Sequence, residues 1–383
     1  MRLKWSFIAC LILLATSLPA QQTADNIIQL IFTSDAHYGI KRNVFRGDSN
    51  VDAHIVNAAM IDAMNQLSHT SLPNDNGVNA GAKNNAVDYI IEGGDIGNRM
   101  EVPVQSSAIS WKQFYSDYTA GLQLTNNSGQ PTAMLAVAGN HDISNAVGFY
   151  KHMQPVKDAS VMAELYNTMM HPSTPVTADN YAYATGKIHY SKNIGNIHCM
   201  FLCLWPDSSE RVWMEKDLST IDANMPVIIF THDQPECEPK HFINPNSPHD
   251  INSKDRFENL LSEVYKDGNT VNGDGATAIE QRALVAFLQK HPSIKAYFHG
   301  NSNYNEFYTY HGPDNNVSVP VFRVDSPIKG KYSADDETKL SFQFISIDTN
   351  KKMITVRECL WNTKAAKETS QLVWGESKTI SLE

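Results

Sequence analysis

Apolar runs that stop abruptly at polar residues organise this chain. Leu30-Ile31-Phe32 leads into Asp35, Tyr89-Ile90-Ile91 into Asp95, Met134-Leu135-Ala136-Val137 into Asn140, and Val227-Ile228-Ile229-Phe230 into His232. Short, continuous runs rich in β-branched and aliphatic side chains predict strands buried on both faces. Between them the spacing turns helical: Ile55, Ala59, Ile61, Met64 and Leu67 predict an amphipathic helix within 51–67. Helices are also predicted over 106–118, 161–170, 211–221, 256–265 and 276–289. Further strands are predicted at 181–183, 189–190, 197–204, 294–298, 317–324, 340–348 and 353–360. The Asn- and Gly-rich stretch 73–85 reads as irregular loop, and 126–131 as a turn. A long Pro-, Asn- and His-rich loop spans 234–255, and its His241, His249 and Asp250 either roof a cleft or lie in ordinary surface loop. The opening β-α-β-α-β order is that of a sheet with helical crossovers. Without an internal repeat or a break in composition, a single domain over 21–383 is expected.

Residues 1–20 do not share the pattern. Arg2 and Lys4 precede an apolar core from Phe7 to Leu18, too short to span a bilayer comfortably, and Pro19-Ala20 gives a small-residue exit before Gln21-Gln22. This reads as a cleaved signal peptide, which places the mature chain in a secreted or periplasmic setting. No later stretch is long and apolar enough to be a membrane span. Removing the leader leaves Cys199, Cys203, Cys237 and Cys359. Cys199 and Cys203, four apart on one predicted strand, share a face but lie beyond disulfide reach, so buried thiols are expected. A formal net charge of -10 offers no basic stripe to neutralise phosphates, which excludes a nucleic-acid duplex as partner.

The polar strand ends carry the chemistry. Taken singly, each has a plain structural reading: Asp35-Ala-His37 and Gly94-Asp95 as turns, Asn140 or Asp142 as a helix cap, His232 as a core histidine. Together, in order, at four strand ends, they offer carboxylates, imidazoles and an amide where open α/β sheets collect ligands. That donor set suits a pair of divalent metals.

At these residues the chain resembles the calcineurin-like metallophosphoesterase superfamily, read by D-x-H, G-D, G-N-H-[DE], a lone His, and G-H-x-H. Four of the five motifs stand intact between about Ile28 and Asn303. The resemblance implies an α/β fold of two packed mixed sheets flanked by helices, a four-layer α/β/β/α sandwich, with a two-metal hydrolase site for a small phosphorylated substrate. It implies that Asp35 and His37 bind a first metal, that Asp95 bridges, and that Asn140 and His232 bind a second. His141, paired with Asp142, would protonate or stabilise the leaving oxygen. Two cations about 3.5–4 Å apart would acidify a bridging water and neutralise charge on phosphorus. Arg99 would reach a phosphate oxygen or sit in a surface salt bridge.

The fifth motif departs: G-H-x-H is Gly300-Asn301-Ser302-Asn303 here. Asn301 and Asn303 would put carbonyl oxygens, harder and weaker donors, where imidazoles stand, and so favour manganese, magnesium or calcium over zinc or iron. His299, just before, is expected to be structural. The absence of a Tyr after Gly94-Asp95, and of a long further domain, disfavours purple acid phosphatases and secreted 5′-nucleotidases. Loss of two imidazoles leaves a second expectation open, a catalytically impaired relative that binds a phosphorylated or glycan ligand in the same cleft. Retention of Asp95 and His141 opposes it.

Overall fold

In the computed structural model, residues 26–98, 105–144, 158–183, 185–238, 241, 261–262, 274–364 and 371–383 are described. The leader, Arg99, His249, Asp250, and most of 234–255 and 256–265 lie outside the described residues.

Strict alternation along β1 (Ile27–Thr33) shows how the layers form. Leu30 and Phe32 enter one hydrophobic core and Ile31 the other, so this strand is covered on both faces. From edge to edge its sheet runs β14 (Val373–Ser381), β13 (Met353–Leu360), β12 (Ser341–Asp348), β1, β4 (Tyr89–Glu92) and β5 (Ala133–Ala136). The second sheet runs β10 (Glu306–Tyr310), β11 (Val319–Arg323), β9 (Ile294–His299), β8 (Val227–Phe230), β7 (Ile197–Phe201) and β6 (Tyr190–Ile194). Both are mixed. In the first, β1, β4 and β5 are parallel and β12 runs antiparallel to β1. In the second, β7, β8, β9 and β11 are parallel, with antiparallel edges β6 and β10.

An aromatic ladder joins the two sheets. Across β7, β8, β9 and β11, Phe201, Phe230, Phe298 and Phe322 stack with successive centroid separations of 5.3, 4.8 and 4.7 Å. From the facing sheet, Phe32 meets Phe230 and Phe298 edge-on at 5.7 and 5.6 Å. Such pairs add about 0.5–1.5 kcal/mol each beyond the area they bury. Helices cover the outer faces. α1 (Ala53–Met64) and α2 (Ser107–Ser116) follow β1 and β4, then come α3 (Asn140–Ser144), α4 (Ser160–Met170), α5 (Ser208–Leu218) and α6 (Asp274–Lys290). This is the expected four-layer α/β/β/α sandwich. Among the described residues no helix is long and apolar enough to cross a membrane.

The differences from the predicted elements are local. Residues 181–183 form no strand, because Tyr181 and Gly186 donate backward to Thr177 and Ala182 in successive turns. β7 stops at Phe201 rather than 204, where Leu204 takes a left-handed φ of 60°. α5 starts three residues early because Asp207 accepts from the Glu210 amide at 2.8 Å as its N-cap. The hairpin β2 (Lys41–Phe45) and β3 (Asp48–Asp52), with β14, went unread, since their largely solvent-facing sequences lack apolar runs, and the short half-buried β10 also went unread. The four cysteines are free and buried, as expected.

Glu92 closes β4 on the inside, held by the hydroxyls of Thr33 and Tyr118. Burial, with the Asp35 and Asp142 carboxylates adding to it, pushes its carboxyl up to about 8 from 4.5. The folded state therefore holds a proton that the unfolded chain gives up. The stability this group confers is complete below about pH 4.5 and is lost as pH rises to about 8, by at most about 5 kcal/mol. Glu92→Gln is expected to flatten that slope, melting above wild type at pH 9 and level with it at pH 4 in chelator. Parallel pH profiles would contradict the buried acid.

Candidate metal centre

The C-terminal ends of β1, β4, β5, β8 and β9 point into one place, and the loops leaving them are unusually tight. Asp35, His37, Asp95, Asn301 and Asn303 have φ between 45° and 60°. Few L-residues adopt this region, and Asp, Asn and His tolerate it best. Non-glycine residues held there cluster at functional sites. Backbone pairing keeps the loops side by side: Asp35 donates to Gly94 and His37 to Asp95, each at 2.9 Å. From the other sheet, Gly300 donates to the His232 carbonyl at 3.0 Å, and the Asn301 amide reaches Asp35 Oδ2 at 2.8 Å. Asn57 of α1 fixes the same loop through the Ala36 carbonyl at 2.8 Å.

Two groups of ligating side chains result, Asp35–Asp95–His232 and His37–Asp95–His141, each with donor atoms within 4.8 Å of one another. Asp95 belongs to both. Its Oδ1 lies 3.4 Å from His232 Nε2, and its Oδ2 lies 3.8 Å from His37 Nε2 and 3.7 Å from His141 Nε2. His232 Nδ1 donates to the Gly93 carbonyl at 2.8 Å, which leaves Nε2 toward Asp95 and toward Asn140 Oδ1 at 3.3 Å. Such an outer contact fixes the tautomer a metal ligand needs.

Buried atoms here lack hydrogen bonds, although His37 Nε2 lies 3.6 Å from Asp35 Oδ1. Asp35 Oδ1, both His37 ring nitrogens and Asn303 Oδ1 are buried without a hydrogen bond. Each such group costs about 1–3 kcal/mol, which coordination to a cation would remove. The electrostatics agree. Burial and the nearby Lys329 lower His37, keeping it the neutral imidazole that ligates. Burial pushes Asp95 up, but the imidazoles of His141, His232 and His37 outweigh it and hold the carboxyl well below the usual range. For His232 burial acts downward, and Asp95, Asp35 and Asp233 overcome it to raise the imidazole to about 10. A pocket that holds a proton this firmly attracts cations. The residues present fit a pair of divalent metals.

Several expected roles shift. His141, expected just off the metals, brings Nε2 to 3.7 Å from Asp95 Oδ2 and so borders the second group. Asp142 does not pair with its ring. The Asp142 carboxylate instead accepts from the backbone amides of Gly139, Ile96 and Gly97 at 2.9, 3.2 and 2.8 Å. It reaches back to the residue before α3 as a capping-box side chain does, and clamps the Asp95 loop. Burial and Asp95 push it up to about 7. The Asn301 amide nitrogen is held by Asp233, Gln234 and Glu238 at 2.6, 3.3 and 3.2 Å, leaving the carbonyl oxygen for a cation. The Asn303 side-chain amide donates to the Asn301 main-chain carbonyl at 2.6 Å. His299 is structural, its nitrogens 3.0 Å from the Gly300 carbonyl and 3.3 Å from the Tyr308 hydroxyl. His241 is fully buried, so it does not lie in ordinary exposed loop.

Lys329 went unread. Its Nζ lies 3.2 Å from His141 Nε2. Ser326 Oγ accepts from the Lys329 amide at 2.9 Å while donating to the Asp35 carbonyl at 2.9 Å, and Arg42 grips the Pro327 and Ser333 carbonyls of the same loop. No sequence spacing links Arg42, Ser326 and Lys329 to the motif residues.

No family model matches the chain, and no curated protein matches it. Among solved structures it is similar to a dimetal phosphatase from Danio rerio, at 10% identity and a TM-score of 0.51, over 93% of this chain and 99% of that one. A phosphopantetheinyl hydrolase from Mycobacterium tuberculosis aligns at 12% identity and a TM-score of 0.33, over 79% of this chain and 91% of that one. A calcineurin-like phosphoesterase from Bacillus subtilis aligns at 11% identity and a TM-score of 0.30, over 93% and 91%. The first likeness establishes the fold: this chain has the fold of a dimetal phosphatase and carries two ligand groups that share one carboxylate.

Proposed function

We propose that this chain is an exported, metal-dependent phosphoester hydrolase acting on a small phosphorylated substrate. The observation that carries the reading is the sharing of Asp95 between two buried ligand groups at strand ends. Asp35, Asp95 and His232 would hold one cation and His37 and Asp95 the other, so Asp35 and His37, expected on one metal, are divided between the two, and Asn140, Asn301 and Asn303 would add carbonyl oxygens. Such a pair supplies an acidified water and neutralises charge developing on phosphorus. The chain's own residues do the rest. Lys329 binds the non-bridging phosphoryl oxygens, and His141 beside it, left off the metals, supplies the proton that the departing oxygen takes. Asp142 holds the Asp95 loop in register through three amides. The carbonyl donors of Asn301 and Asn303 favour manganese, magnesium or calcium over zinc or iron. Residues 1–20 would be removed on export, and sequencing the mature terminus near Gln21 checks this.

The test is metal-free protein reconstituted with manganese or zinc, assayed on p-nitrophenyl phosphate and bis-p-nitrophenyl phosphate, beside an Asn301→His/Asn303→His variant. Wild type should take up two manganese ions at the Asp95 centre and hydrolyse one substrate, and the variant should move the preference to zinc. Two bound metals with neither substrate cleaved would favour the second reading, a binding relative of the enzymes. The observation behind that reading is the replacement of two imidazoles by amides, one of them tied back to Asp233, Gln234 and Glu238.

Lys329→Ala should lower kcat/KM about 10- to 100-fold, the worth of one charge-assisted hydrogen bond, mostly through KM. Lys329→Arg should retain most of the rate. An unchanged KM in Lys329→Ala would remove the residue from the substrate.

A further inference from the structure

We propose that Asp233, Cys237 and His241 form a third cation site, for a thiophilic divalent metal of the zinc class, separate from the two groups that share Asp95. These three residues fall four apart along the segment that leaves β8. Two consecutive turns, Cys237 donating to Gln234 and His241 to Glu238 at 2.9 and 3.0 Å, bring every fourth side chain back to one point. Cys237 takes a left-handed φ of 53° to allow it. The carboxylate, thiol and imidazole converge with donor atoms within 4.8 Å of one another, and all three residues are buried. His241 Nδ1 lies 2.5 Å and Cys237 Sγ 3.5 Å from Asp233 Oδ2.

A hydrogen-bonded Asp–His pair alone does not account for this arrangement. His241 is fully buried, yet its Nε2 has no partner. Among the described residues, Cys237 is the one cysteine that joins a metal-capable group. Cys199 lies within the inter-sheet core, while Cys203, Cys237 and Cys359 border the helix-covered one. One sulfur, one imidazole and one carboxylate make a borderline-soft donor set, which selects zinc over magnesium or calcium. On coordination the thiol proton leaves to solvent. The site also bears on its neighbours, since Asp233 follows His232 in the chain and its other oxygen holds the Asn301 amide at 2.6 Å. A cation here would fix Asp233, and with it the face Asn301 presents.

Cobalt(II) tests the site on the full mature chain, because a thiolate ligand gives cobalt a near-ultraviolet charge-transfer band and the Asp95 centre contains no sulfur. Wild type is expected to show the band. Cys237→Ser is expected to lose it together with one metal equivalent, while Asp95→Asn keeps it. Wild-type protein with no such band, or Cys237→Ser that retains it, would overturn the proposal. Either result leaves the hydrolase reading untouched, since that reading is judged by the Asp95-dependent metals and by turnover.

Discussion

Asp95→Asn is expected to yield a folded protein that has lost phosphoester hydrolysis by at least about 10³-fold, equivalent to about 4 kcal/mol of transition-state stabilisation. Of the side chains gathered at the strand ends, Asp35 and Asp95 supply the carboxylates of the paired groups, and Asp95 alone serves both. Two dications brought together need anionic charge between them, and this substitution removes it at the shared position. Asn is the informative replacement. It keeps an oxygen able to accept from the His141 amide, now 2.8 Å from Asp95 Oδ1, so the turn into α3 survives. In chelator at neutral pH the variant should melt below wild type, because the imidazoles that hold Asp95 well below the usual carboxylate range lose their counter-charge, and the two should differ further in metal content and rate once manganese is restored. A variant holding two metals at full rate would remove Asp95 from the centre.

Gly139→Ala is expected to destabilise the protein strongly. A Cβ at that position would lie 2.5 Å from the Asp95 amide nitrogen and 2.8 Å from His232 Cε1. Neither neighbour can swing aside: one is backbone, and the other is a ring fixed through its Gly93 bond. Overpacking a well-filled interior costs about 1–3 kcal/mol, and a clash with main chain belongs at or above the top of that range. Metal binding should fall with it, because relief of the clash moves Asp95 or His232. Gly129→Ala is the control. It too adds a methyl at a glycine, but nothing lies within 4 Å of the new atom, so only its φ of +73° resists. Urea midpoints and manganese titrations of the two variants side by side check the difference.

What the sequence made legible follows from how the site is built. Asp35, Asp95, Asn140, His232 and Asn301 each end a buried strand, and a buried parallel strand announces itself by an apolar run. Its terminus can then be read to within a residue or two. The roles within each motif were less legible. The resemblance pairs Asp142 with His141, whereas its carboxylate turns back to three amides, and no spacing distinguishes a side chain that binds backbone from one that binds its neighbour. Lys329 escaped because its place is set by Arg42, nearly three hundred positions away, gripping carbonyls on its loop. The triad of Asp233, Cys237 and His241 had a regular spacing that could have been found. It was hidden within a polar stretch that reads as surface loop, although the three side chains are buried.

The bond from the Asn301 amide to Asp35 Oδ2 crosses from one sheet to the other, beside the ladder of phenylalanines that joins them. It has a kinetic consequence. Donors drawn from Asp35 through Asn303 cannot meet until both sheets exist and have docked, so neither half of the chain offers the paired centre while the other is still being synthesised. Metal would be captured at the last step of folding, and would act there as a latch. At a free concentration 100 times its Kd, each cation bound only by the docked state would deepen that state by about 2.7 kcal/mol. Slow dissociation of the sheets, more than the fraying of any strand, would then set how long the folded chain survives.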